Sequence, residues 1–93
     1  MTLTIRKFRL GKVVGTPGCL SAVGDEREIL LALRWHMAGN WGDICEEDKA
    51  SNDEALKTGG RLLSAYRAHN GVRFWVITEA DRSVTTLLLP EEY

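Results

Sequence analysis

Four side chains of this 93-residue chain are candidates for acid–base or phosphate chemistry: His36, Arg73, Glu79 and Arg82. Glu79 could act as a base and Arg73 or Arg82 as a phosphate clamp, the combination that metal-independent RNA cleavage requires. His36 has other candidate companions in Asp48 and Asn52, which are four apart and share a helical face. An imidazole oriented by a carboxylate is the core of many general-base sites. The plainer reading makes His36 a hydrogen-bonded core histidine and leaves Arg73 and Glu79 as solvated surface charges.

Other motifs are missing. Gly59-Gly60 is not followed by the Lys-Ser/Thr of a phosphate loop, and no serine stands in a nucleophile elbow. Cys19 and Cys45 lack CxxC spacing and read as buried small hydrophobes rather than a bridge. Two histidines are too few for zinc without further ligands. No metal and no cofactor is expected.

The elements that must position these groups follow from caps and periodicity. Asp25 is an N-cap with Glu28 three residues on, a capping-box spacing, and Ile29, Leu30, Leu33, His36 and Met37 then share one broad helical face. Gly39-Asn40 closes that helix. Asp43, followed by Glu46, opens a second helix that ends at Gly59-Gly60. Glu46, Glu47 and Asp48 sit in its first turn, where the helix dipole favours negative charge. It has few apolar residues, so its burial must be shallow, and Trp41 between the helices should plug the gap. Upstream, Leu3–Val14 alternates imperfectly and breaks near Lys7, leaving Leu10–Val14 as a short strand. Pro17 suits the start of a helical turn through Cys19–Val23.

Residues 61–93 read as three antiparallel strands. Asn70-Gly71 is a strong two-residue hairpin signal that pairs Ala68 with Arg73, Tyr66 with Trp75 and Ser64 with Ile77. A second turn, Ala80–Ser83, pairs Glu79 with Val84, Ile77 with Thr86 and Trp75 with Leu88. Alternation then puts Leu63, Ala65, Phe74, Val76, Leu87 and Leu89 on the helix-facing side, with Thr78 and Thr85 paired at its margin. Ser64, Tyr66, Arg73, Trp75, Glu79 and Thr86 fall on the other side. Trp75, beside Ile77 and Leu88, is too apolar for bare solvent and calls for a cover, either the N-terminal segment or a partner. The fold class is therefore α+β: two helices on one face of a three- to four-stranded antiparallel sheet, in the order strand, helix, helix, three-strand meander. Residues 1–93 make a single domain, with 1–9 as a candidate N-terminal extension.

Net charge is −1, but it is unevenly spread: +3 over residues 1–42, −4 over 43–60 and zero over 61–93. A nucleic-acid binder usually carries a strong basic footprint, which this chain lacks, so nucleic acid is a poor expectation. A protein partner or a second copy is the better one, met through Tyr66 and Trp75 or through the acidic stretch of Asp43, Glu46 and Glu47. No apolar run is long enough to span a bilayer and no secretion signal is present, which points to the cytoplasm and away from membranes.

The strings LGKVVGTPG (10–18), HMAGNWGD (36–43), EEDKASNDEALKTGGRLLSAY (46–66) and WVITEADRSVTTLLLPEEY (75–93) resemble a family of short bacterial proteins labelled hypothetical or plasmid-related. That resemblance covers nearly all of residues 10–93 and implies carriage on mobile DNA, with a defence, counter-defence or toxin–antitoxin role. The element order is also similar to that of small ribonuclease toxins of the RelE and barnase type, though those tend to be basic. The expected function is a non-enzymatic protein-interaction or regulatory module, with a metal-independent ribonuclease as the alternative.

Overall fold

In the computed structural model, which describes residues 6–93, the chain is an α+β domain of three helices and a four-stranded sheet. The elements are β1 (Lys12–Gly15), α1 (Pro17–Val23), α2 (Glu26–Met37), α3 (Glu46–Thr58), β2 (Leu62–Arg67), β3 (Arg73–Thr78) and β4 (Val84–Leu88), closed by a 3-10 turn at Pro90–Glu92. Strand order is β1-β4-β3-β2. The β2–β3–β4 meander is antiparallel as expected, but β1 runs parallel to β4, so the sheet is mixed. Parallel neighbours need a long crossover rather than a hairpin, and the helices and the meander supply it. Leu3 and Ile5 lie outside the described residues. Phe8, placed in the candidate extension, packs with Trp41, Ala55 and Leu62 in a small second core.

The helices start where their caps dictate. Thr16 Oγ1 accepts from the Cys19 amide at 3.0 Å and Pro17 fills the first turn of α1. Asp25 caps α2 by accepting from the Arg27 amide at 2.9 Å. Glu28 does not close the expected capping box but accepts from the His69 amide, tying α2 to the β2–β3 loop. The third helix begins at Glu46 rather than Asp43, with Cys45 as its N-cap. Cys45 is exposed, so only Cys19 is the expected buried hydrophobe.

The β2–β3 hairpin differs from the expected one by a single residue, and that residue matters most. Ala68 pairs with Val72, whose carbonyl accepts from the Ala68 amide at 2.8 Å, leaving His69-Asn70-Gly71 as a three-residue loop. Asn70 Oδ1 accepts from the Val72 amide at 3.1 Å, and its Nδ2 donates to the Ala22 carbonyl at the end of α1 at 2.9 Å. Gly71 takes φ +89°. A turn followed by a left-handed glycine is the usual three-residue hairpin. Strand pairing becomes Tyr66 with Phe74 and Ser64 with Val76, rather than Tyr66 with Trp75 and Ser64 with Ile77. Because side chains alternate, a one-residue slip turns every β2 side chain over. Ser64 and Tyr66 therefore face the helices, and Leu63 and Ala65 join Trp75 on the other side. The β3–β4 register stands as expected, with Trp75 opposite Leu88 and Ile77 opposite Thr86.

The main core lies between the sheet and α1–α2 and includes Cys19, Leu33, Tyr66, Phe74, Val76 and Leu87. The third helix seals the outer edge of β2: Asn52 Nδ2 donates to the Leu63 carbonyl at 2.7 Å and its Oδ1 accepts from the Leu63 amide at 3.1 Å. The Trp41–Asp43 strip covers the next rung, with the Ala65 amide donating to Trp41 O at 3.1 Å and the Asp43 amide to Ala65 O at 2.7 Å. Gly42 sits between them at φ +77°, where a Cβ would overlap the Ala65 carbonyl oxygen. Urea unfolding of two alanine variants tests this arrangement. Gly71→Ala adds a methyl with nothing within 4 Å and should cost only the left-handed backbone, about 1–2 kcal/mol. Gly42→Ala should cost clearly more, because the strip must leave the strand; equal midpoints would contradict the edge contact.

Candidate functional site

His36 is completely buried, on the inner face of α2. Its Nδ1 lies 2.5 Å from Ser64 Oγ on β2 and its Nε2 lies 2.9 Å from Thr78 Oγ1 on β3. Thr78 Oγ1 is in turn 2.7 Å from Thr85 Oγ1 on β4, and Thr85 donates to the Leu10 carbonyl at 2.7 Å. The direction of every bond follows from the last one. A carbonyl only accepts, so Thr85 spends its single hydrogen on Leu10. Thr78 must then donate to Thr85, and so can only accept from His36. The ring proton is therefore on Nε2, and the bare Nδ1 accepts from Ser64. Phe8 and Trp41 meet the ring edge-on at centroid distances of 5.1 and 5.6 Å.

This setting keeps the imidazole neutral. Burial, and next the positive charge of Arg82, lower its pKa from 6.5 to about 3. Both nitrogens are occupied and neither reaches solvent, so His36 has the geometry of a structural group. Asp48 and Asn52 are not its partners: Asn52 holds the β2 backbone and Asp48 is exposed on α3.

The other candidates do not assemble into an open site, although Arg82 lies beside Glu79. Glu79 accepts from Arg61 Nη2 at 3.1 Å, and Arg73 pairs with Asp43 at 3.5 Å, both at the surface. Six residues apart along one strand, Arg73 and Glu79 are separated by roughly 20 Å, too far to share a substrate phosphate. Arg82 is a clamp for the chain itself. Its guanidinium donates to the carbonyls of Gly60 at 2.7 Å, Glu79 at 3.0 Å and Ala55 at 3.2 Å. It thereby places a positive charge at the C-terminal end of α3, where the dipole favours it. The same residue holds φ +61°, the one non-glycine in that region among those described.

The residues expected to form an interaction surface divide. Tyr66 is in the core, its hydroxyl donating to Asn40 O at 2.6 Å, so it is not available at the surface. Trp75 remains half-buried on the outer sheet face, met edge-on by Tyr93 at 5.5 Å. Tyr93 is held there by Arg61, whose Nη1 donates to its hydroxyl at 2.8 Å. Trp75 also borders a shallow hollow of about 570 Å³ with Val72, Arg73, Leu89 and Pro90. Its partial cover is the chain's closing turn. Asp43 pairs with Arg73, Glu46 lies 3.4 Å from Lys49, and Glu47 is exposed.

Sequence reasoning missed the apolar surface of the helical layer. Val13, Leu20, Leu30, Leu31 and Trp35 are each 41–53% exposed. They form two groups on opposite flanks of α2. Val13, Leu20 and Leu30 line a groove of about 460 Å³ on the β1 side, and Leu31 and Trp35 border a small cleft on the β2 side. The signal was present in α2, where ILLALRW is apolar beyond the stripe one core can bury.

Among the described residues no cluster of three or more His, Cys, Asp or Glu could hold a metal ion, and no helix is long and apolar enough to cross a membrane. Comparison with protein-family models, curated proteins and solved structures finds no match.

The histidine makes a pH prediction. A folded-state pKa below the unfolded one means the unfolded chain binds more protons between about 3 and 6.5. The stability due to a neutral His36 is complete above about 6.5 and is lost as pH falls toward about 3. The slope within that window is about 1.4 kcal/mol per pH unit. In His36→Asn this slope should vanish while the carboxylate contributions remain. Equal acid dependence of the two proteins would contradict a buried neutral ring.

Proposed function

We propose that the protein is a non-enzymatic interaction module that binds another protein through the outer surface of α2. The observation that carries this reading is that Leu31 and Trp35 are left in solvent on the β2 flank of α2, while His36 and Arg82 are spent on holding the fold. Large apolar side chains exposed together on one helix flank of a small domain mark a place where something docks. Trp35 is the natural anchor, because its ring is already braced by Tyr66 at 5.7 Å and aromatics dominate binding hot spots. Gly42 also lies against Tyr66, which brings Asp43 and the acidic start of α3 to the same end of the molecule. A partner with an apolar patch flanked by basic residues fits that surface.

The similarity of the closing strings to plasmid-related bacterial proteins supports placing the module on mobile DNA, in defence or counter-defence. Two free thiols suit a cytoplasmic setting. No observation favours the ribonuclease alternative: Arg73 is remote from Glu79, Arg82 beside Glu79 is spent on backbone carbonyls, and His36 is buried with both nitrogens paired.

Photo-crosslinking in cells tests the reading. A crosslinker in place of Trp35 or Leu31 should trap a discrete protein adduct, and one in place of Lys57, exposed on α3, should not. Purified protein should leave total RNA intact. Absence of adducts at 31 and 35, or RNA cleavage lost in Glu79→Ala or Arg73→Ala, would overturn it.

A further inference from the structure

Among the described residues the sheet has one sealed edge, β2, and one open edge, β1. Along β2, Asn52 and the Trp41–Asp43 strip satisfy the outward backbone groups of Leu63 and Ala65. Along β1, the Lys12 amide donates inward to Ser83 O at 3.0 Å and the Thr16 amide to Leu87 O at 2.9 Å. Alternation therefore turns the N–H and C=O of Val13 and Gly15 outward, where no described residue meets them. An uncovered edge of this kind is a template for another strand.

We infer that β1 pairs antiparallel with β1 of a second copy, about a two-fold axis at Val14, joining the two sheets into one. In that register Val13 faces Gly15 of the second copy, and both outward donors and acceptors of each chain are satisfied. The side chains fit as well. Val13 shares the helix-facing side with its partner Thr85, and a Cβ on Gly15 would lie 2.8 Å from Leu20 Cδ2, so Leu20 covers that glycine. Across the axis, Val13 of each copy meets Leu20 of the other over a position with no side chain. The apolar groove beside Leu30 extends the contact. Charge selects a second copy over an arbitrary strand. Lys12 stands at one end of β1, and Glu92 is fixed at the other by a 2.6 Å bond from Thr16 Oγ1. An antiparallel two-fold places Lys12 opposite Thr16 of the second copy, beside its Glu92, so unlike charges meet at both ends.

This inference goes beyond the binding reading, because it uses the β1 flank of α2 and leaves Leu31 and Trp35 free. Sedimentation equilibrium tests it. The wild type should be a dimer at micromolar concentration, weakened by salt. Val13→Pro removes an outward donor that β4 does not use, and should give a monomer with an unchanged circular dichroism spectrum. Leu20→Asp should also give a monomer, and serves if the proline variant fails to fold. Lys12→Glu should weaken association by about ten-fold. A wild type that stays monomeric, or a dimer insensitive to Val13→Pro and Leu20→Asp, would overturn it. Adducts at Trp35 on a monomeric protein would remove the dimer and keep the binding reading; a β1 dimer without adducts would do the reverse.

Discussion

The bonds from His36 to Ser64 and Thr78 fasten α2 to two adjacent strands inside the core, and the rest of the arrangement is organised around them. A buried imidazole is costly unless both nitrogens are paired, so its partners must arrive at fixed positions on β2 and β3. Thr85 carries the chain on to β4 and ends at the Leu10 carbonyl, which secures the segment leading into β1. One run of hydrogen bonds thus links a helix, three strands and the approach to the fourth. Every buried side-chain polar atom among the described residues has a partner. A network satisfied throughout rigidifies a core, and a half-satisfied one would destabilise it.

Much of this was legible in the sequence, and what was not has a specific cause. The placement of His36 on the apolar face of α2, and the pairing of Thr78 with Thr85 on the side facing it, both followed from periodicity and from the second turn. They put His36 and Thr78 on facing surfaces, but the expected companions of His36 are Asp48 and Asn52, and the bond to Thr78 comes from the tertiary packing. Ser64 is hidden because Asn70-Gly71 reads as a two-residue turn, which turns β2 the wrong way up. Local turn preference lost to tertiary anchors: Asn70 binds the end of α1 and the His69 amide binds Glu28, drawing three residues into the loop. The same slip puts Tyr66 on the surface beside Trp75. The parallel pairing of β1 was beyond any local signal, since only a crossover of some seventy residues creates it. Arg82 reads as a phosphate clamp from the sequence because two of its carbonyl partners, Ala55 and Gly60, are far away along the chain.

Interior and exterior then separate cleanly. Groups with catalytic potential are drawn inward or paired off, while the apolar residues that one sheet cannot cover are pushed outward on the helical layer. A 93-residue chain has little stability to spare, so leaving Leu30, Leu31 and Trp35 in solvent forgoes burial that a single core could have used. That outward surplus is the feature on which the proposed interaction role rests.

The state of the His36 ring is the most direct test of whether the polar chain is structural. Nitrogen-15 NMR of the imidazole distinguishes the two tautomers and the charged form. A protonated Nε2 and a bare Nδ1, unchanged between about pH 8 and pH 5, are the expected result. A ring that titrates near its ordinary value of 6.5, or carries its proton on Nδ1, would contradict the direction of the chain and return His36 to the catalytic candidates.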